Sequence, residues 1–186
     1  MSFSAHIDTV KHLITPYTNH RVVKLSSLKE YFIDQEAAEK ILKEKDPVVY
    51  EYYEKTFENE EENMNFGLTI IYPGKIGREY FMTRGHFHVK RKPEIYLGLK
   101  GEGLILMQSF EGRVEWQPLK PNSVVYVPPG MGHRTVNTGE GELVFFFAYP
   151  ADAGHDYEIV RVKGFAKLVL EEDGRVKIID NPKYRL

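Results

Sequence analysis

The chain has 186 residues, 25 Lys and Arg against 27 Asp and Glu, a formal net charge of -2 and no cysteine. That length predicts one domain, since single domains run to ~100–200 residues, and it suffices for a core without disulfide staples. The missing cysteine excludes disulfides, thiolate zinc sites, iron–sulfur clusters and a cysteine nucleophile, and the missing basic excess argues against nucleic acid as a partner.

The N-terminal MSFSAHIDTVKHL lacks the apolar stretch and basic flank of a signal peptide. No apolar run approaches the ~20 residues that cross a bilayer. A soluble, cytoplasmic protein without a membrane partner is expected. Ile7, Val10, Leu13 and Ile14 fit an arm or a short strand. Ser27-Leu-Lys-Glu30 has capping-box spacing and predicts a helix start. Asp34 predicts a second, over Ala37, Ala38, Ile41 and Leu42, which Asp46-Pro47 ends because the residue before proline is driven from helical backbone.

Val48 to Glu54 is β-branched and aromatic and predicts a strand. The acidic run Glu58 to Glu62 predicts a solvated loop. Strand-like runs then follow at 64–72, 79–84, 94–99, 103–109, 113–117, 123–127, 133–137 and 142–149. Turn signals separate them, among them Pro73-Gly74, Gly101-Glu-Gly103 and Pro128-Pro-Gly130. Short strands at this spacing predict an antiparallel sandwich or barrel. Phe165 to Leu170 and Arg175 to Ile179 flank Asp173-Gly174, a hairpin signal. The expected fold is mostly β, in one domain over 1–186. An arm with one or two short helices takes 1–47, a strand core 48–150, and a C-terminal loop and hairpin 151–186.

The sharpest chemical feature is Gly85-His86-Phe87-His88, followed by Glu94 and later His133. Side chains two apart on a strand share a face, so His86 and His88 reach one point while Phe87 turns to the apolar side. Glu94 opens the next strand after the polar turn Lys90-Arg-Lys-Pro93, and His133 begins a run after the rigid Pro128-Pro-Gly-Met-Gly132. Three imidazoles and one carboxylate suit a divalent transition metal: iron, manganese, nickel or zinc. The set does not suit calcium, which takes oxygens. Glu94 is the one carboxylate of the constellation, hence the candidate base.

These residues resemble the cupins. Gly85-His-Phe-His88, Glu94 and Gly101 look like the first cupin motif, and Pro128-Pro-Gly130, His133 and Asn137 like the second. Tyr80 and Asn122 stand where the motifs carry glycine. Tyr72-Pro-Gly-Lys75, Thr83-Arg-Gly-His-Phe-His88, Glu94-Ile-Tyr96, Tyr126-Val-Pro-Pro129, His133-Arg-Thr-Val-Asn137 and Tyr149-Pro-Ala-Asp-Ala-Gly-His-Asp-Tyr157 together are similar to the cupin-type phosphoglucose isomerases of archaea. The resemblance implies a jelly-roll fold, a homodimer, and interconversion of glucose 6-phosphate and fructose 6-phosphate. It implies one metal per subunit on His86, His88, Glu94 and His133, with iron the usual ion. Glu94 is then also the proposed proton carrier, the alternative being a hydride shift from carbon to carbon.

Thr83 offers a hydroxyl and Gly85 an open amide for the substrate phosphate. The resemblance adds Tyr52, Thr69 and Tyr157 as substrate contacts. Tyr96 shares a face with Glu94 and suits a sugar hydroxyl. The loop from Tyr149 to Tyr157 carries Tyr149 as a substrate contact and His155 as a proton shuttle for ring opening. The same ligand set also serves cupin oxygenases and sugar epimerases, and a non-catalytic sugar-binding cupin is a third reading.

Overall fold

The computed structural model describes residues 2–58 and 61–184. Three short strands open the chain: β1 (His6–Asp8), β2 (Leu13–Thr15) and β3 (Asn19–Lys24). Two 3-10 turns follow, Leu25–Ser27 and Lys29–Tyr31, then α1 (Gln35–Glu44). Ten strands come next: β4 (Val48–Lys55), β5 (Met64–Ile71), β6 (Lys75–Ile76), β7 (Glu79–Tyr80), β8 (Glu94–Lys100), β9 (Gly103–Gln108), β10 (Val114–Leu119), β11 (Val124–Val127), β12 (Gly132–Asn137) and β13 (Leu143–Pro150). Helix α2 (Glu158–Lys163) and the hairpin β14 (Lys167–Glu172) and β15 (Arg175–Asp180) complete it.

Helix α1 starts where the sequence places it. The Asp34 carboxylate accepts the Ala37 N–H at 2.9 Å, and Ala38 is buried with Ile41 and Leu42 packed against the core. The expected helix at Ser27 does not form. The Ser27 hydroxyl donates to the Lys24 carbonyl at 2.8 Å instead of capping. The segment winds as 3-10 turns, whose three-residue period puts Leu25 and Leu28 on one face, and both are fully buried. Burial of two leucines outweighs a cap of about 1 kcal/mol. Of the acidic run, Asn59 and Glu60 lie outside the described residues, while Glu61 and Glu62 form an exposed turn.

The strands form a sandwich, with all named pairings antiparallel. A six-stranded sheet runs β11-β8-β13-β5-β4-β3, and a three-stranded sheet runs β10-β9-β12. The chain alternates between them: β8 in the first, β9 and β10 in the second, β11 back, β12 across, β13 back. The predicted strand over 79–84 is shorter, covering β7 alone. Beyond it the chain follows β12 only through isolated bridges, Met82 with Val136 and His86 with His133. Gly85, at φ +76°, breaks the strand geometry there. The C-terminal part contains α2 as well as the expected hairpin. Among the described residues, no helix is long and apolar enough to cross a membrane.

All six residues of β12 are buried, because both its faces are covered. His133 and Thr135 look into the sandwich. Arg134 points the other way, under α2, with its guanidinium 4.7 Å from the Phe165 ring. On β8 the alternation is plain: Glu94, Tyr96 and Gly98 are buried and Ile95 is exposed.

Gly101, in the tight turn between β8 and β9, has φ +77°, and a Cβ there would lie 2.2 Å from the backbone oxygen of Glu142. Gly101→Ala therefore meets a left-handed penalty of ~1–2 kcal/mol and a backbone clash besides. The expected outcome in a thermal melt is a midpoint lowered by roughly 10 °C. A midpoint within ~2 °C of the parent would refute it.

Candidate active site and metal centre

Three segments of chain bring four donors together between the sheets. His86 and His133 exchange backbone hydrogen bonds (His86 N–H to His133 O, 3.1 Å; His133 N–H to His86 O, 2.9 Å), which fixes one histidine against the other. Phe87 turns away, is 2% exposed and stacks on Phe110 at 4.6 Å. That is the outward anchor the alternation predicts. Glu94 opens β8, hydrogen-bonded in register with Val127 of β11.

The ligand-capable atoms of His86, His88, Glu94 and His133 all lie within 4.8 Å of one another. Glu94 Oε2 is 3.0 Å from His133 Nε2, 3.2 Å from His88 Nε2 and 3.8 Å from His86 Nε2. The Lys92 carbonyl lies 2.8 Å from His88 Nδ1, and the Met131 carbonyl 3.2 Å from His133 Nδ1. A carbonyl only accepts, so these contacts hold the proton on Nδ1 and leave Nε2 with its lone pair toward Glu94. The Nε2 atoms of His86 and His88 are buried without a hydrogen-bond partner. Two unpartnered ring nitrogens beside a buried carboxylate fit a divalent transition ion, in a nitrogen and oxygen set without sulfur.

The electrostatics agree with that use. Burial alone would raise the Glu94 carboxyl, but the His133, His88 and His86 rings outweigh it and hold it well below the usual carboxylate range. Burial, then the His133 and His155 rings, push His86 well below its ordinary value, so it stays neutral. Burial lowers His155 to about 4, which keeps it neutral at pH 7. Burial, then the Glu94 charge, raise the Tyr96 hydroxyl far above its usual range, so it stays a donor.

The cluster opens into a cavity of about 300 Å³. His86, Glu94, Tyr96, His133 and His155 border it, as do Tyr52, Thr69, Thr83, Gly85, Tyr149 and Tyr157. His88 does not border it and is buried beside the Tyr149 and His155 rings, at 5.8 and 5.7 Å. Tyr52 faces Thr69 across β4 and β5. Thr83 Oγ1 accepts the Thr135 N–H at 3.1 Å, which frees its own proton to donate. The Gly85 N–H makes no hydrogen bond among the described residues. A Cβ at Gly85 would come 2.9 Å from the Phe165 ring and 3.0 Å from the His133 carbonyl, so only glycine fits.

Sequence reasoning missed five polar wall residues: Tyr50, Glu54, Thr56, Arg84 and Thr135. Glu94 is thus not the only carboxylate here, because Glu54 borders the same space. Period-two counting from Tyr52 along β4 reaches both Tyr50 and Glu54. Arg84 spans the Tyr31 and Tyr157 rings at 5.7 and 5.3 Å, and its buried Nε has no hydrogen-bond partner. Arg134 donates to the Arg84 carbonyl from Nη2 at 2.8 Å and from Nε at 3.3 Å, holding the backbone that carries Arg84 and Gly85. Of the two motif departures, Asn122 adopts φ +67°, which asparagine tolerates in place of glycine, and Tyr80 is buried in β7.

A family profile described as glucose-6-phosphate isomerase (GPI) matches residues 22–185. The glucose-6-phosphate isomerase of Thermococcus kodakarensis is 53% identical over 173 residues, covering 92% of this chain and 91% of that protein. That of Thermococcus gammatolerans is 51% identical over 98% of this chain and 96% of its own length. That of Pyrococcus furiosus is 48% identical over 88% and 87%. Among solved structures, an oxalate oxidase overlays 54% of this chain and 49% of its own at TM-score 0.45 and 17% identity. With the profile spanning the sandwich and half the positions shared over nearly whole chains, this chain belongs to the glucose-6-phosphate isomerase family.

Proposed function

We propose that the chain interconverts glucose 6-phosphate and fructose 6-phosphate. The observation that carries this reading is one cavity, in a chain of this family, that joins a four-donor His and Glu cluster to a cationic, donor-rich wall. The reaction moves one hydrogen between C1 and C2 and one proton between their oxygens, and needs neither a redox cofactor nor a covalent intermediate. His86, His88, Glu94 and His133 would hold one divalent transition ion per chain. Iron(II) is our assignment from the family resemblance, while manganese, nickel and zinc suit the same donors. Such an ion, when bound, supplies Lewis-acid polarisation of the substrate carbonyl.

The chain's own groups bind, orient and move protons. Arg84 provides the charge for the phosphate, with the Thr83 hydroxyl and the Gly85 N–H as neutral donors. Tyr52, Thr69, Tyr149 and Tyr157 line the sugar. Glu94 stands beside the C1–C2 edge as the proton carrier, and the Tyr96 hydroxyl donates to a sugar oxygen. His155, neutral at pH 7, exchanges a proton with the ring oxygen during opening. The aromatic walls Phe145 and Phe147 exclude water. The proposal extends to the whole chain acting as one domain, in a cytoplasmic homodimer.

The test is a coupled assay on protein stripped by a chelator and then given iron, manganese, nickel or zinc. Loss of turnover on stripping and its return with metal is the expected result. Folded, metal-loaded protein without turnover, or one that consumes oxygen instead, refutes the isomerase reading.

A further inference from the structure

The cavity is electrically polar along β4. Tyr50, Tyr52 and Glu54 occupy successive same-face positions and all border it. Glu54 therefore lies about 13 Å along the strand from Tyr50. Arg84 belongs to the Tyr50 end, where its charge bears on the Tyr50 hydroxyl and its guanidinium lies over Tyr31 and Tyr157. Glu54 marks the other end. It sits opposite Gly67 of β5, whose partner on β13 is Phe147, two residues before Tyr149. The Tyr149 hydroxyl donates to Glu54 Oε1 at 2.5 Å; burial raises the Glu54 carboxyl above its ordinary value, and the Tyr149 and Asn19 hydrogen bonds oppose that by favouring its charged form. Asn19 is its second polar partner.

Glu54 is no part of the four-donor cluster, and no lysine or arginine pairs with it among the described residues. A carboxylate accepts about four hydrogen bonds, and Tyr149 and Asn19 account for two of them. The remaining capacity belongs to whatever fills the cavity. An open-chain hexose 6-phosphate carries C1 and its phosphate at opposite ends. The histidines stand between the two ends, with the Tyr149 ring 5.8 Å from His88 and 5.0 Å from His155 and the Tyr157 ring under Arg84 5.6 Å from His86 and 5.8 Å from His155. With the phosphate at Arg84, C1 therefore points toward Tyr149 and Glu54. Resting on the isomerase reading above, we infer that Glu54 is a specificity-determining residue, accepting a sugar hydroxyl at the C1 end and turning away a second phosphate there. A like charge facing it weakens binding about a hundredfold or more. The site thus selects a monophosphate and fixes which way round it binds.

Fructose 1,6-bisphosphate is the probe, measured as an inhibitor of the metal-loaded protein. In the unmodified enzyme its Ki should exceed the KM for fructose 6-phosphate about a hundredfold. Glu54→Gln should tighten bisphosphate inhibition about tenfold and raise the monophosphate KM about fivefold, while Glu54→Asp, which keeps the charge, should still refuse the bisphosphate. Equal bisphosphate inhibition of the parent and Glu54→Gln overturns the inference while the isomerase reading stands. If Glu54→Gln fails to fold, the unmodified enzyme decides. There, 1-deoxyfructose 6-phosphate, which lacks the hydroxyl to be read, should bind about tenfold more weakly than fructose 6-phosphate, and equal binding overturns the inference. Absence of turnover in the unmodified, metal-loaded protein overturns the isomerase reading and this inference with it.

Discussion

Glu94→Gln should lower turnover about a thousandfold and metal affinity at least about a hundredfold, with the fold intact. The substitution keeps side-chain volume, so the buried start of β8 stays packed. It removes the anion that faces three imidazoles at 3.0 to 3.8 Å. An amide oxygen is a weak ligand, and an amide nitrogen cannot carry a proton at neutral pH. Both proposed roles of Glu94 would disappear together, and the assay can separate them. At saturating metal, verified by direct metal analysis, a pure ligand role predicts recovery of turnover. A proton-carrier role predicts that turnover stays about a thousandfold down. Full activity with metal bound would refute Glu94 as the carrier. Normal metal retention would refute it as a ligand.

Arg84→Met should raise the KM for fructose 6-phosphate about a hundredfold and leave kcat within a few fold. The guanidinium is a cation on the cavity wall with a buried, unpartnered Nε. A charge-assisted contact to phosphate contributes ~2–3 kcal/mol, which is the source of that factor. With the phosphate held at Arg84, away from the bonds that change, the contact would be the same in ground and transition states, and its loss should appear in KM. Methionine keeps an unbranched apolar stem between Tyr31 and Tyr157, which limits the packing loss. Steady-state kinetics on metal-loaded protein decides it. An unchanged KM would move the phosphate away from Arg84.

The four-donor cluster was readable from sequence because its spacing survives folding almost without distortion. His86 and His88 share a face, Phe87 opposes them, and Glu94 and His133 each stand at or near the start of a strand. Arg84 was not readable in the same way. Alternation assigns Thr83 and Gly85 to one face and Arg84 to the other, yet all three border the cavity. Gly85, at φ +76° between isolated bridges, breaks the period that the argument assumed. Glu54 was missed for the opposite reason. The period holds on β4, but a glutamate two residues beyond Tyr52 carries no mark of burial until β13 brings Tyr149 over it. The capping box at Ser27 failed where local preference met two buried leucines. Helix α2 is only six residues long, and its one local signal is Asp156, whose carboxylate accepts the Glu158 and Ile159 N–H groups at 3.0 and 3.3 Å from within a stretch whose Pro, Asp and Gly content reads as loop.

The four donors come from three stretches of chain, the segment ending at His88, the start of β8 and the start of β12, which face one another only in the folded state. An unfolded chain cannot gather them, so an ion that binds here binds the native state alone. Its binding energy becomes folding energy. Each tenfold rise in free ion above the dissociation constant then adds about 1.4 kcal/mol to stability, a shift of roughly 3–5 °C in the melting midpoint. With an ion held by these donors, the heat tolerance of the chain would follow the metal supply around it.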